Sequence, residues 1–319
     1  VAGCGSKEAA EPVQPAEPDN EPVTLAVGTA PGPVSYALAY LAENPAEDMT
    51  LEIKPWQKGD QLLAMITSNE VNMSATPITN AFMLYNKGID IQLVNVSVWG
   101  MLYVLSPEDN VQSVADLKGQ QVAVAGQGGI HDLVFRHLLI QNGVDPDKDL
   151  EIIYLDLPEA SAKLATGELK YAVLNEPNSS MATLNARKGG VELKRVLDLQ
   201  EEWQKVTGQE KARIPQAGFV VLNSEQLGKN AVAKFQERFS AAAEWVNNNP
   251  AEAGPIVEKH FEWMKAPAVE QSLQYARLNP EWAADCQEEI EAFFTELSKT
   301  APPEALGGKL PDAEFYFQP

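Results

Sequence analysis

The sequence predicts an α/β protein with two domains, and three observations support this. From residue 23 onward, short apolar runs alternate with stretches of helical spacing, a pattern typical of layered α/β folds. Without its first 22 residues the chain keeps about 297, which suits two medium domains better than one. The composition, 45% hydrophobic and 22% charged, is that of a globular protein with a full core.

The predicted elements follow one another as strand, loop and helix. The first strand is expected at 23–27, and a turn rich in Gly and Pro then leads into a helix at 34–41. The same spacing predicts three further helices. One begins near residue 60, one ends near residue 85, and one begins at residue 130. Beyond residue 223 we expect mostly helix. Further strands are expected at 51–53, 71–75, 91–98, 101–106, 121–125, 151–155 and 171–174.

The loops that follow several predicted strands share one composition. They combine small residues or proline with hydroxyl or amide side chains, and each leads into the N-terminus of a helix, where backbone N–H groups are free. Parallel strands bring such loops together at one edge of a sheet, where ligands bind. The alternative is that Gly and Pro only mark turns. The candidate ligand contacts in these loops are Thr29, Pro31, Gly32, Thr76, Thr79, Gln127, Gly128, Gly129 and Asn175.

Four larger side chains are further candidates for ligand contact. Trp56 and Trp99 each end a strand, where an indole could stack on a planar ligand or pack in the core. His131 lies in the first turn after the glycines, facing the expected cleft. Glu176 follows a strand and either caps the next helix or binds an N–H group of the ligand. These loops contain no arginine, which favours a small, planar, nitrogen-bearing organic ligand over a sulfonate-like anion.

Residues 1–22 predict a membrane anchor and a tether. The run VAGC resembles the end of a bacterial lipoprotein signal peptide, in which the cysteine, here Cys4, becomes lipidated; a chance tetrapeptide is the alternative. The next 18 residues are rich in Pro, Glu and Ala and contain no aromatic residue, so we expect a disordered acidic tether. Together these features place the protein on the extracytoplasmic side of a bacterial membrane.

Composition excludes several other classes of function. A net charge of −21 argues against nucleic-acid binding, because few cations are present to replace phosphate counterions. No apolar run is long enough to span a bilayer. Cys286 is the only cysteine besides Cys4, and the three histidines are scattered, so we expect no metal site and no cofactor.

Several segments resemble the solute-binding proteins of the nitrate/sulfonate/taurine type, which include binders of the thiamine pyrimidine. The segment 116–124 (DLKGQQVAV) is similar to the family's DLKGKxVAV, and 126–129 (GQGG) to its TGQGA. The matches occur in the family's order and cover residues 23 to 317. The other matching segments are 72–81 (NMSATPITNA) with 85–88 (YNKG), 174–177 (LNEP) and 308–317 (GKLPDAEFYF).

This resemblance implies a two-lobed, periplasmic-binding-protein-like (type II) Venus flytrap that hands a small molecule to the permease of an ABC importer. It also implies two hinge crossings, which we expect near Tyr103 and Gln216. Lobe one is then 23–103 plus 217–319, and lobe two is 104–216. We expect a monomer without enzymatic activity. An enzyme on the same fold, like a pyrimidine synthase or a chorismate dehydratase, and a receptor that reports to a membrane sensor remain alternatives.

Overall fold

A computed structural model describes residues 21–319 and contains two β-sheets, each flanked by helices. The predicted anchor at Cys4 and most of the predicted tether lie outside the described residues. We call the part of the protein around the seven-stranded sheet the first lobe and the part around the five-stranded sheet the second lobe.

The seven-stranded sheet has the order β12-β5-β11-β3-β1-β2, with β4 also paired to β11. Its strands β1, β2 and β3 run parallel, whereas β11 is antiparallel to β3. The strands are β1 (Val23–Thr29), β2 (Met49–Pro55), β3 (Met73–Pro77), β4 (Ile91–Leu93), β5 (Asn95–Val98), β11 (Ala217–Leu222) and β12 (Leu278–Trp282).

The five-stranded sheet has the order β10-β6-β9-β7-β8. Strands β7, β8 and β9 are parallel, and β6 and β10 add an antiparallel edge. The strands are β6 (Leu102–Ser106), β7 (Gln121–Val124), β8 (Glu151–Tyr154), β9 (Tyr171–Asn175) and β10 (Lys194–Asp198). In both lobes, loops at the carboxyl ends of parallel strands lead into helices, so the arrangement brings several helix N-termini to one edge of each sheet.

Within residues 21–319 twelve α-helices cover the sheets, and their apolar faces form the core. In the first lobe α1 packs on α9 and α10, and Phe235 and Phe239 of α9 contact Phe219 of β11. The helices are α1 (Val34–Glu43), α2 (Gly59–Thr67), α3 (Ile78–Asn86), α4 (Ile130–Gln141), α5 (Leu157–Thr166), α6 (Asn178–Lys188), α7 (Leu199–Thr207), α8 (Ser224–Leu227), α9 (Lys229–Asn248), α10 (Pro250–His260), α11 (Ala266–Ser272) and α12 (Gln287–Ser298).

The predicted single strand at 91–98 is wrong in detail, because the structure divides it at Val94 into β4 and β5. The buried side chain of Asn95 explains the break. Its Oδ1 accepts a hydrogen bond from the backbone N–H of Phe219 at 3.0 Å, so a side chain replaces one rung of the backbone ladder. The neighbouring Gly218 must lack a side chain, since a Cβ there would lie 1.9 Å from the carbonyl oxygen of Asn95.

The chain passes between the sheets twice. The first connection is 99–101, between β5 and β6, and the second lies between β10 and β11 and includes α7. The lobe boundaries expected at 103 and 217 remain a prediction, although Tyr103 itself lies in β6 of the second sheet. In the first connection Gly100 has a φ of +150°, and a Cβ there would lie 2.2 Å from the side chain of Gln200.

Direct contacts join the two lobes beside these connections. Arg277 of the first lobe donates to Asp198 of the second at 2.9 Å. The Tyr103 hydroxyl donates to the carbonyl oxygen of Tyr275. On another side, His137 of α4 lies between Glu296 and Thr300, at 3.0 and 2.7 Å. None of the helices within residues 21–319 has both the length and the apolar character to cross a membrane.

Candidate functional site

A cavity of about 470 Å³ lies between the two sheets, where their loops face each other. Both lobes and both connections contribute to its lining. Most lining residues end or follow β1, β2 and β3 in the first lobe and β7, β8 and β9 in the second, which is where open α/β sheets bind ligands. They are Ala30, Pro31, Gly32, Pro33, Val34, Trp56, Gln57, Ala75, Thr76, Pro77, Val98, Met101, Ile130, His131, Leu157, Pro158, Asn175, Asn178, Gln216, Ala217 and Trp263.

A second depression, of about 560 Å³, lies at the opposite edge of the seven-stranded sheet. Residues of the first lobe alone form it, among them Val71 beside the start of β3 and Leu222 at the end of β11. Because it faces away from the carboxyl ends of the parallel strands and from the second lobe, the cavity between the lobes is the better candidate for a ligand site.

The wall formed by the first lobe is mostly apolar and is fixed by neutral hydrogen bonds. Trp56 is 6% exposed, and its indole N–H donates to the Ser74 hydroxyl at 3.1 Å. Gly28 makes room for that hydroxyl, since a Cβ there would lie 2.4 Å from the Ser74 oxygen. With its N–H occupied, Trp56 contributes an apolar surface to the cavity, as a stacking platform requires.

The loop after β1 is fixed in a similar way. The hydroxyls of Thr29 and Ser35 lie 2.9 Å apart, and the Ser35 hydroxyl donates to the carbonyl oxygen of Ala30 at 2.7 Å. Thr29 is fully buried. It therefore shapes the loop that carries Pro31 and Gly32 and does not itself line the cavity.

The wall formed by the second lobe carries His131, which is half-buried at the start of α4. Burial lowers the pKa of its imidazole to about 4, so the ring is neutral at physiological pH. A neutral imidazole offers one donor and one acceptor.

Asp132 supports the glycine loop before α4 and does not reach the cavity. One of its carboxylate oxygens accepts from the backbone N–H of Gly128 at 2.8 Å, and the other accepts from the Tyr154 hydroxyl at 2.9 Å. Arg136 lies 3.3 Å from the same carboxylate. One of the backbone donors expected for a ligand, that of Gly128, is thus already used within the loop.

The carboxylate of Glu176 is fully buried behind the second wall. Two nitrogens of Arg195 donate to it, at 3.1 and 2.6 Å, and the backbone N–H and hydroxyl of Ser180 donate to its other oxygen. Desolvation raises the pKa of Glu176, and the positive charge of Arg195 opposes that rise. The contact with Ser180, four residues on, matches the capping alternative considered from the sequence.

Trp99 also lies away from the cavity. The indole is 1% exposed and donates to the carbonyl oxygen of Asn279 at 2.9 Å, while the guanidinium of Arg213 lies 3.6 Å from the ring centre. Both Glu281 and Glu289 bind Arg213 in turn. Trp99 therefore takes part in the contact between the second connection and the first lobe.

Six of the thirteen candidate contacts line the cavity: Pro31, Gly32, Trp56, Thr76, His131 and Asn175. The structure places the other seven around it. Thr79 is buried in α3, Gln127 is exposed, and Gly129 closes the loop before α4 by donating to the carbonyl oxygen of Gly126. Thr29, Trp99, Gly128 and Glu176 have the contacts described above. Whether any of the thirteen contacts a ligand stays a prediction.

Sequence reasoning missed several lining residues. Trp263 lies between α10 and α11, far along the chain from the loops, and is 40% exposed. Gln216 precedes β11, a strand that was not predicted. Asn178, which donates to Asn175 at 2.8 Å, belongs to the helix after β9. A strand predicted at 217–222 would have brought Gln216 to the cleft, whereas no local pattern points to Trp263.

The described lining contains no Asp, Glu, Lys or Arg. Its polar side-chain groups are amides, one hydroxyl, two indole N–H groups and the neutral imidazole of His131, and most of the remaining surface is apolar. Such a site offers hydrogen bonds and stacking but no side-chain charge to neutralise an ion. Among residues 21–319 there is also no group of three or more His, Cys, Asp or Glu side chains placed to hold a metal ion.

Residues 44–253 match the family model described as NMT1/THI5 like, which is well over half of the chain. The chain belongs to this family. The match agrees with the resemblance inferred from the sequence motifs.

Individual relatives are more distant. A Bacillus subtilis protein named as the binding protein YtlA is 22% identical over 264 residues, which cover 79% of this chain and 75% of that protein. The nitrate/nitrite binding protein NrtA of Synechococcus elongatus is 27% identical over 120 residues, which cover 35% of this chain and 27% of NrtA.

Solved structures confirm the predicted two-lobed, periplasmic-binding-protein-like fold. An ABC transporter protein from Parabacteroides distasonis superposes with a TM-score of 0.78 at 23% identity, covering 94% of this chain and 99% of that one. The periplasmic aliphatic sulphonate binding protein SsuA of Escherichia coli gives a TM-score of 0.70 at 18% identity, covering 94% and 93%. At such identities the likeness concerns the fold.

Proposed function

We propose that this protein is an extracytoplasmic solute-binding protein that delivers a small, uncharged, planar organic molecule to the permease of an ABC importer. One observation carries the proposal: a cavity lined by both lobes, at the carboxyl ends of their strands, with no charged side chain in its described lining. Family membership and the names of the structural neighbours support the transport role.

The ligand class follows from the two walls of the cavity. The face of Trp56 that lines the cavity suits stacking on a flat ring, and the amides of Asn175 and Asn178 and the imidazole of His131 suit polar ring substituents. The carboxylate of Glu176 is not available to a ligand, because Arg195 and Ser180 occupy it. We therefore keep the planar organic ligand inferred from the sequence but do not assign Glu176 to a ligand N–H group.

A sulfonate or nitrate ion is the less favoured ligand. Binding an anion in this cavity would mean desolvating its charge without a cationic side chain in the described lining. Only neutral side-chain donors and backbone N–H groups at helix N-termini could replace its water. Although the similar proteins SsuA and NrtA are named for such anions, the described lining of this cavity contains no Lys or Arg.

Ligand binding should draw the two lobes together about the two connections, 99–101 and the segment between β10 and β11. The cavity receives residues from both sheets, so a ligand held there contacts both lobes at once, which stabilises the closed arrangement over an open one. We propose a monomer, with the lobes divided as 23–103 plus 217–319 and 104–216.

We further propose that Cys4 carries the lipid and that the acidic segment after it gives reach toward the permease. The VAGC run and the Pro-, Glu- and Ala-rich composition support this. In the full-length protein expressed with its signal peptide, Cys4→Ser should move the protein from the membrane to the soluble fraction. Retention on the membrane would contradict the anchor and leave the binding role intact.

A thermal-shift screen tests the ligand class. It should compare uncharged planar ring compounds with nitrate and aliphatic sulfonates. A ligand present at 100 times its Kd stabilises the folded protein by about 2.7 kcal/mol, which is readily measured. We expect shifts from ring compounds and recovery of the best ligand chemically unchanged. Shifts from anions alone would overturn the ligand class, and conversion of the ligand to a product would favour an enzyme.

A further inference from the structure

We propose that Gln216 is a specificity-determining residue of this site, and that its side-chain Nε2 donates a hydrogen bond to an uncharged acceptor atom of the ligand. This inference rests on the proposed function. It adds the requirement that the ligand carry a carbonyl oxygen or an unprotonated ring nitrogen at the floor of the cleft.

The first observation is a buried donor without a partner. Gln216 is 1% exposed, and its Nε2 is one of four buried side-chain polar atoms that lack a hydrogen bond within residues 21–319. The other three belong to Asn86, Ser179 and Tyr316, none of which lines the cavity. A buried, unmade hydrogen bond is costly to the folded protein, which makes Gln216 a site that a ligand acceptor would satisfy.

The orientation of the amide is fixed by its other end. The Oε1 atom accepts from the backbone N–H of Met101 at 3.0 Å, and only the amide oxygen can accept from an N–H group. The NH₂ end is therefore the end without a partner. Since Met101 also lines the cavity, the hydrogen-bonded pair forms part of the cavity floor.

The backbone of Gln216 is held equally firmly. Its N–H donates to the carbonyl oxygen of Val98 at 3.0 Å, and its carbonyl oxygen accepts from the N–H of Ile78 at 3.0 Å. With the Met101 bond, three hydrogen bonds fix the residue before any ligand arrives. A donor fixed in this way can discriminate between ligands. A ligand without an acceptor leaves Nε2 unpaired, and the side chain, which is already ordered, regains no conformational freedom in exchange.

Three other donors in the lining are already used within the protein. The Trp56 indole donates to Ser74, Asn178 donates to Asn175, and the Thr76 hydroxyl lies 3.3 Å from the carbonyl oxygen of Pro77. Among the described lining residues, only Gln216 has a buried side-chain polar atom without a hydrogen bond. It also joins the first connection, through Met101, to the second, so a ligand bound to Nε2 acts at the hinge itself.

The test uses Gln216→Glu, which keeps the oxygen that accepts from Met101 and replaces Nε2 by a carboxyl oxygen. The probes are indanone and indane, which have the same ring system and differ by one carbonyl acceptor. Neither titrates, so any pH dependence belongs to the protein. Isothermal titration should show a drop of at least about tenfold in indanone affinity when the new carboxyl is ionised, with indane little affected.

A second signature separates a ligand contact from a purely structural role. A buried glutamic acid can keep its proton to about pH 8 and then donates as the amide did. Indanone binding to Gln216→Glu should therefore be restored as the pH falls, while the wild-type affinity stays flat. Circular dichroism and urea unfolding at each pH establish that the variant is folded.

The outcomes separate the two proposals. Weakened, pH-dependent indanone binding with unchanged indane binding supports the role of Gln216. Equal indanone affinity in the wild type and in the variant at every pH overturns it and leaves the transport function and ligand class standing. If neither probe binds the wild-type protein, and anions do, the uncharged ligand class fails and the inference about Gln216 fails with it.

Discussion

The two walls of the cavity present similar surfaces to a ligand but are held in place by different forces. The first wall is fixed by neutral groups: Trp56 donates to Ser74, and the absence of a side chain at Gly28 lets Ser74 approach. Behind the second wall lie charges, with Glu176 bound to Arg195 and Asp132 close to Arg136. The comparison teaches that an uncharged binding surface can depend on buried ions that no ligand touches.

The largest expected effect comes from a substitution that breaks the ion pair behind the second wall. Arg195→Met leaves the fully buried carboxylate of Glu176 without its cation, which should lower the free energy of unfolding by about 3–5 kcal/mol. Adding Glu176→Gln should recover most of this loss. Urea unfolding at pH 7 measures both changes.

A matched control is available in the same lobe. Arg187 and Glu192 form an ion pair in which both side chains are at least half exposed, so Arg187→Met should change the unfolding free energy far less than Arg195→Met does. If Arg195→Met costs no more than Arg187→Met, the buried pair does not support the second wall.

The next largest effect comes from a substitution that disturbs the neutral hydrogen bond behind the first wall. Gly28→Ala places a methyl group 2.4 Å from the Ser74 hydroxyl, so Ser74 must move and the hydrogen bond to Trp56 is disturbed. Overpacking of this kind costs about 1–3 kcal/mol. Gly59→Ala is the control, because a Cβ at Gly59 meets no heavy atom within 4 Å. Equal stabilities of the two variants by thermal unfolding would show that the close approach is not needed.

A smaller effect concerns the rim of the cavity. Trp263 is 40% exposed, so Trp263→Ala should lower the unfolding free energy less than truncation of a fully buried tryptophan would, while lowering the affinity for a ring ligand by about fivefold or more. Leu310→Ala, at a residue 42% exposed and outside the lining, should change neither. Calorimetric titration of the three proteins with the best ligand of the screen decides whether Trp263 contacts it.

The sequence predicted most of the first sheet and the general position of the cleft, because both depend on local patterns. Strands β1, β3 and β9 are short apolar runs followed by Gly, Pro or amide residues, and their carboxyl ends do line the cavity. The strand β12 was missed because Pro280 lies within it, which is tolerated only at a sheet edge, and that position depends on the tertiary fold.

The site itself could be predicted only in part. Trp56 and His131 directly follow or begin predicted elements, and they line the cavity. Trp99 and Glu176 occupy similar positions in the sequence, yet Arg213 and Arg195, distant along the chain, cover them. Which polar or aromatic side chain at the end of a strand faces a ligand thus depends on long-range partners, and no local pattern reports them.

The smallest expected effect is a dependence on pH that is specific to the second wall. The pKa of His131 is about 4 in the folded protein, below the value of about 6.5 expected in the unfolded chain. Between these values the unfolded chain binds a proton that the folded protein excludes, so the stability contribution is fully present above about pH 6.5 and is lost as the pH falls toward 4. In His131→Gln this loss disappears. When the pH falls from 7.5 to 5.5, the unfolding free energy of the wild type should therefore decrease by up to about 1 kcal/mol more than that of the variant. Urea unfolding of both proteins across this range measures the gain. Parallel curves would mean that the imidazole remains solvated in the folded protein and that the second wall is wetter than the first.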